Sequence, residues 1–205
     1  MGKRNPVLTR QHILEAALAE FAARGYDGAR VDTIAERAGA NKRMLYHYFG
    51  NKDDLYLAVL ERTYEHIRSH ERDLDLKAMG PEEAMIELVR FTFGYFVAHP
   101  EFIRILNNEN LYEAEHLKRS TRIKAMHSPL IEEVRNTLTR GAEQGIFRSG
   151  VDPVQFYITI AGLGYFYLSN AATLGAIFNR DLRTEDALEA RRDHVVDVVL
   201  GYLRP

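Results

Sequence analysis

The stretch VDTIAERAGANKRMLYHYFGNKDDL, residues 31–55 of a 205-residue chain, decides the fold. It reads as two short helices joined by a tight turn at Gly39, with a third helix opening after Asn51. The first, about Asp32 to Ala38, has Ile34, Ala35 and Ala38 on its inner side. Asn41 stands where it can cap the second, about Lys42 to Phe49. Leu45 and Phe49, four apart, supply the apolar side that fastens that second helix to its neighbours. Asn51-Lys-Asp-Asp54 resembles a capping box, with Asp54 in the first turn complementing the helix dipole.

The middle helix carries the chemistry. Between Gly39 and Lys52 there is no Asp or Glu. Lys42, Arg43 and Lys52 are cations, and Asn41, Tyr46, His47 and Tyr48 add hydrogen-bonding groups. A short helix rich in donors and free of acids suits a DNA major groove. The charge distribution agrees. Residues 1–52 hold nine Lys/Arg against five Asp/Glu, whereas residues 53–205 hold eighteen against twenty-four. A basic head on an acidic body confines a polyanion-binding surface to the N-terminal quarter.

Working outward, helical periodicity dominates and no hairpin shows strand alternation. A first helix, about Thr9 to Arg24, repeats Ile13, Ala17 and Phe21, with Thr9 as cap and Gly25 as stop. The helix opening at Asn51 is expected to run to about Arg72, burying Leu55, Val59 and Ile67. Gly80-Pro81 opens another, His99-Pro100 breaks it, and Phe102 to Leu106 begins the next. Ser128-Pro129 starts a helix ended by Gly145. Asp152-Pro153 caps a further one, and Thr184 caps the last, which nearly reaches Leu203. The expectation is all-α, with about nine helices.

Composition narrows the function. Hydrophobic residues make up 46% and charged residues 27%, enough to bury a real core. The absence of cysteine removes disulfides, thiolate metal sites and thiol nucleophiles, and fits a cytoplasmic location. The N-terminal MGKRNPVLTR lacks the apolar segment of a secretory signal. Residues 153–179 carry no charge and exceed the roughly 20 residues that cross a bilayer. Gln155, Thr159, Ser169, Asn170 and Thr173 interrupt the run, so the reading is a helix buried from several sides, partly by a second subunit, and no membrane partner.

Taken together, Ile34-Ala-Glu-Arg-Ala-Gly39, Leu45-Tyr-His-Tyr-Phe49, Asn51-Lys52 and Leu55, with Phe21 and Gly25-Tyr26, resemble the DNA-binding domain of TetR-family transcriptional regulators. The match covers about residues 9–56, and the remainder agrees in helix number and order only. The resemblance implies a homodimer of all-helical subunits, with a helix-turn-helix head at 1–52 and an effector-binding and dimerisation body at 53–205. It places Lys42, Arg43 and Met44 at base edges and Tyr46, His47 and Tyr48 at bases and backbone. Thr33 and Lys52 fall at phosphate-contacting positions, and Asn41 beside them. Arg43 can chelate a guanine edge and Met44 can press on a thymine methyl. Arg43 and Met44 stand where the family commonly has small residues, and His47 where it often has Tyr, so no operator sequence carries over.

For the body, the resemblance places a small-molecule pocket among the middle helices. Phe91 to Tyr112 is rich in aromatics and asparagines, and Phe91, Tyr95, Phe102, Leu106, Asn107, Asn110 and Tyr112 are the candidates. It also pairs the uncharged helix and the last helix with their symmetry mates, through Gly162, Tyr165, Phe166, Val195 and Val199. The resemblance implies a ligand-responsive repressor on a palindromic operator, with no catalytic residue, cofactor or metal. Two other readings remain: a helical ligand-binding protein without specific DNA reading, and a helical metalloenzyme. The last rests on Glu113-Ala-Glu-His116, read as a solvated helical Glu-x-x-His unit, and on His66 and His70 four apart on a charged, exposed face.

Overall fold

The local sequence signals fall where helices begin and end in the computed structural model, which describes residues 6–205. The N-terminal five residues, counted in the basic head above, lie outside that range. Ten α-helices follow among the described residues: α1 (Pro6–Gly28), α2 (Val31–Arg37), α3 (Lys42–Phe49), α4 (Lys52–Arg72), α5 (Pro81–Ala98), α6 (Pro100–Leu111), α7 (Thr121–Glu143), α8 (Pro153–Ser169), α9 (Ala171–Phe178) and α10 (Glu185–Leu203). A 3-10 turn, Leu117–Arg119, precedes α7.

The caps explain the boundaries. Asn41 accepts the Met44 N–H at 2.9 Å and Asn51 accepts that of Asp54 at 2.8 Å. Asp152 accepts the Gln155 N–H at 2.8 Å, and Thr184 that of Ala187 at 3.3 Å. Each satisfies a donor that a helix start leaves open. Thr9 does not act as a cap, because α1 starts a turn earlier and buries it. α7 likewise begins before its expected start. Ser120 accepts the Ile123 N–H at 3.2 Å, and Pro129 sits inside the helix. Burial of Ile123, Leu130 and Val134 on both sides of Pro129 outweighs the one backbone hydrogen bond it forfeits.

The uncharged run is two helices rather than one. The chain bends by 66° at Asn170, whose side-chain amide donates to the Phe166 carbonyl at 2.9 Å. No single helix among the described residues is long and apolar enough to cross a membrane. Within one protomer Phe156, Ile160 and Gly164 are buried, while Ile158, Phe166, Ile177 and Phe178 are exposed.

Two compact units result. One takes in the chain up to His66 together with Pro100–Lys124; the other holds Ile67–His99 and Ala125–Pro205. In the first, α1 packs against α2, α3 and α6. Its core includes Ile13, Phe21, Ile34, Leu45, Leu55, Tyr56 and Ile105. In the second, α5 packs between α8 and α10 around Met85, Leu88, Phe156, Ile160, Val195 and Val199. The chain crosses between the units three times: within α4, between α5 and α6 at His99-Pro100, and within α7.

Candidate nucleic-acid interface and ligand-binding region

α3 is fixed from below. Leu45 and Phe49 are buried, and the Arg10 guanidinium lies 5.1 Å from the Phe49 ring centre. The turn ahead of it is a Schellman motif: Ala40 donates to Ala35 at 2.9 Å and Gly39 to Glu36 at 3.0 Å. Gly39 takes φ +60°, a conformation that strains any residue with a Cβ.

With that face inward, Lys42, Arg43, Tyr46 and His47 are exposed, while Met44 and Tyr48 are half-buried at its margins. Tyr48 sits edge-on to His47 at 5.4 Å. Thr33 is half-buried on α2, and Asn41 is exposed although its side chain is used as the cap. Two cations are already engaged. Lys42 meets Asp32 of α2 at 3.1 Å, an exposed pair of the kind that contributes little and yields readily to a phosphate. The Lys52 ammonium lies 4.8 Å from the Tyr26 ring centre and 3.4 Å from the Asp27 carbonyl.

One residue that sets this platform was not anticipated. Glu20 is buried in α1, meets Arg37 of α2 at 3.2 Å and accepts the Arg30 N–H at 3.5 Å. It therefore holds both ends of α2. The signal was present in the sequence: Glu20 lies on the Ile13–Ala17–Phe21 stripe, an acid in an apolar register.

Residues 100–124 complete the first unit. Gly25 adopts φ +71°, and a Cβ there would lie 2.8 Å from the Asn108 Oδ1 that accepts the Tyr26 N–H. Tyr26 donates its hydroxyl to Asp53; burial and then that bond hold its pKa above the usual phenol range. Tyr112 donates to Asp27, and Arg119 meets Asp54 at 2.6 Å. His116 is buried rather than solvated; it pairs with Glu109 at 3.1 Å and faces the Tyr26 and Tyr56 rings at 4.6 and 4.7 Å. Glu113 and Ala114 have positive φ, so Glu113 and His116 do not share a helix face.

The expected pocket residues are divided between the units. Phe91 and Tyr95 lie in the second, their rings 5.9 Å apart, with Tyr95 largely buried. Phe102, Leu106, Asn107, Asn110 and Tyr112 lie in the first, with Phe102 buried against Tyr64 and Asn110 exposed. Of the dimer candidates, Gly162 and Phe166 are exposed and Tyr165 half-buried. Val195 and Val199 are a correction: both are 1% exposed in the protomer's own core. The exposed apolar positions nearby are Val154, Ile158 and Phe166, in one stripe with Gly162, and Val198 and Tyr202 on α10.

The charged face expected around His66 and His70 is half wrong. Both histidines are exposed, but Arg68 and Glu71 are buried, their side chains 2% exposed. Arg68 donates to the Tyr157 hydroxyl at 2.7 Å. These groups border a cavity of about 240 Å³. Leu60, Tyr64 and Arg68 share an i, i+4 register, so this too was visible as a charge on a buried stripe.

Known proteins resemble the chain throughout. Residues 13–59 match the family described as bacterial regulatory proteins, tetR family, and residues 81–199 match the tetracyclin repressor-like C-terminal domain. An HTH-type transcriptional repressor of Pseudomonas putida, NicS, is 37% identical over 96% of this chain and 92% of its own. The crystal structure of a Streptomyces coelicolor transcriptional regulator, SCO4942, superposes with a TM-score of 0.72 at 26% identity, covering 96% of this chain and 99% of that one. The fold is shared, at 20% identity and a TM-score of 0.69 over 93% and 97% of the two chains, with AibR in complex with isovaleryl coenzyme A and operator DNA.

Proposed function

The chain belongs to the TetR family of bacterial transcriptional regulators, and from that premise we infer that it is a ligand-responsive repressor that reads operator DNA through α3. The observation that carries this is the acid-free outer face of α3, with Arg43 and His47 exposed on a helix locked by Leu45 and Phe49. Arg43 and Met44 face base edges, with Tyr46, His47 and Tyr48 at bases and backbone. Lys42 lies with them at base edges, and Thr33 and Lys52 sit on phosphates, which position the head without reading sequence. Its partners are double-stranded DNA, a small-molecule effector and a second copy of itself. Its setting is cytoplasmic, and its role is regulation rather than catalysis.

The active species is a homodimer. The exposed stripe Val154, Ile158, Gly162 and Phe166 beside Val198 and Tyr202 supports pairing through α8 and α10. Nothing crowds a Cβ at Gly162, which leaves room for a second helix to approach. Two-fold pairing presents two copies of α3 to successive major grooves, hence to a palindromic site. Ligand in the second unit favours a dimer state with wrongly spaced heads. Reversing a 99:1 preference needs roughly 5.5 kcal/mol of differential binding. α4 is the natural lever, since it belongs to both units.

Selection from random duplexes at moderate salt, followed by sequencing, tests this reading. A palindromic consensus is expected, with affinity falling several orders of magnitude as salt rises, if each dimer neutralises about eight phosphates. Retention without a consensus, or a flat salt profile, would overturn specific reading.

A further inference from the structure

We propose that the cavity beside Arg68 and Glu71 is a ligand site for a small, uncharged molecule carrying a carbonyl acceptor next to an N–H donor on an apolar frame: a carboxamide or lactam. As the effector site of this regulator, it rests on the reading above.

The cavity lies wholly in the second unit. It is bounded by the last turn of α4, the connection through Leu76 and Lys77, and Met126, Leu130 and Glu133 of α7. Polar groups of the residues that border it are incompletely partnered. Arg68 Nη1 lies 2.9 Å from Glu71 Oε2, close enough to pair charges, yet without the alignment of a hydrogen bond. Arg68 Nε donates to nothing, and neither oxygen of Glu71 accepts a hydrogen bond. Glu133 Oε1 is in the same state, although Oε2 of that carboxylate meets Lys77 at 3.2 Å. Buried polar atoms are nearly all satisfied in folded proteins, and such a cluster is expensive unless something fills it.

The inventory of groups selects the chemistry. Three cations (Arg68, Arg72, Lys77) and three carboxyls (Glu71, Asp75, Glu133) border the cavity, so neither a simple anion nor a simple cation is favoured. What is missing is an acceptor for Arg68 and a donor for Glu71, side by side. A carbonyl oxygen against the guanidinium and an adjacent N–H against the carboxylate supply both. Leu76, Met126 and Leu130 receive the apolar frame. The volume, below the ~300 Å³ at which drug-sized sites begin, fits one or two rings. Burial lifts the Glu71 pKa to about 7, against the pull of Arg68 and Arg72, so above that pH the carboxyl is an acceptor.

Calorimetric titration of the whole protein at pH 8 with benzamide, benzoate and benzylamine tests the assignment. Benzamide is expected to bind with a roughly millimolar Kd, at least about tenfold tighter than the two ions. Met126→Trp, which fills the cavity from a half-buried position, and Glu71→Leu should each weaken it about tenfold or more. Circular dichroism establishes that both variants are folded; should Glu71→Leu fail to fold, Met126→Trp alone decides. Equal binding of all three compounds, no saturable binding of benzamide, or binding indifferent to Met126→Trp would overturn the site. Benzamide that saturates the cavity but leaves affinity for the selected DNA unchanged would uphold the site and overturn its assignment as the effector site. No specific DNA binding by the ligand-free protein, with benzamide binding intact, would strike the repressor reading alone.

Discussion

The α2–α3 platform and the floor of the Arg68–Glu71 cavity both put charge into the protein interior, and they treat it in opposite ways. Glu20 is buried with a guanidinium on one oxygen and a backbone N–H on the other, and Asn41 caps the start of α3. Around Arg68 and Glu71 the charges meet, but the hydrogen bonds do not. A satisfied network is a rigid mount, which a helix that must present side chains to DNA requires. An unsatisfied one is poised for a partner it lacks, which suits a site whose occupancy is meant to change the protein.

Removing one member of each network separates them. Arg68→Leu strands the Glu71 carboxyl and should cost about 3 kcal/mol by urea unfolding. Arg68→Leu with Glu71→Leu together should recover most of that. A single change costing well under 1 kcal/mol would mean that the pair is not buried in solution. Next in size is a pH effect. The Glu71 pKa is raised above the unfolded value of about 4.5, so the folded state holds the proton more tightly. Stability is then highest below about pH 4.5 as far as this group is concerned, and falls as pH rises through about 7. The loss is of order 3 kcal/mol, and Glu71→Gln should flatten that slope. Glu20→Ala leaves the Arg30 N–H and Arg37 without their acceptor and should cost about 1.5 kcal/mol. It should also weaken DNA binding evenly across sequences, because it loosens the mount rather than the reading surface. Asn41→Ala removes one cap and should cost ~1 kcal/mol.

The same contrast governs how much the sequence discloses. The head is built from near neighbours: a cap three residues from its donor, a glycine at a left-handed turn, apolar residues four apart. Those spacings are local, so Asn41, Gly39, Leu45 and Phe49 are legible without a structure. Lys42 and Lys52 were legible as cations, but not their partners Asp32 and Tyr26, which come from other helices. The second unit depends on distant contacts. Tyr157 meets Arg68 from 89 residues away, and no periodicity announces that. Aromatic spacing pointed to Phe91 and Phe102, which lie in different units, while the charged pair on the α4 stripe passed as solvated. Val195 and Val199 failed for a related reason: on α10 the apolar side faces the protomer's core, and the outward stripe falls to Val198 and Tyr202.

The central claim, that the exposed side of α3 reads bases, is tested most directly by base preference. Wild-type protein and Arg43→Ala are titrated against the selected duplex and its single-base-pair variants at fixed salt. Arg43→Ala is expected to lose about 1–3 kcal/mol of discrimination at one position in each half-site, with preferences elsewhere and folding stability unchanged. An identical preference profile for the two proteins, or a uniform weakening at every position, would contradict it.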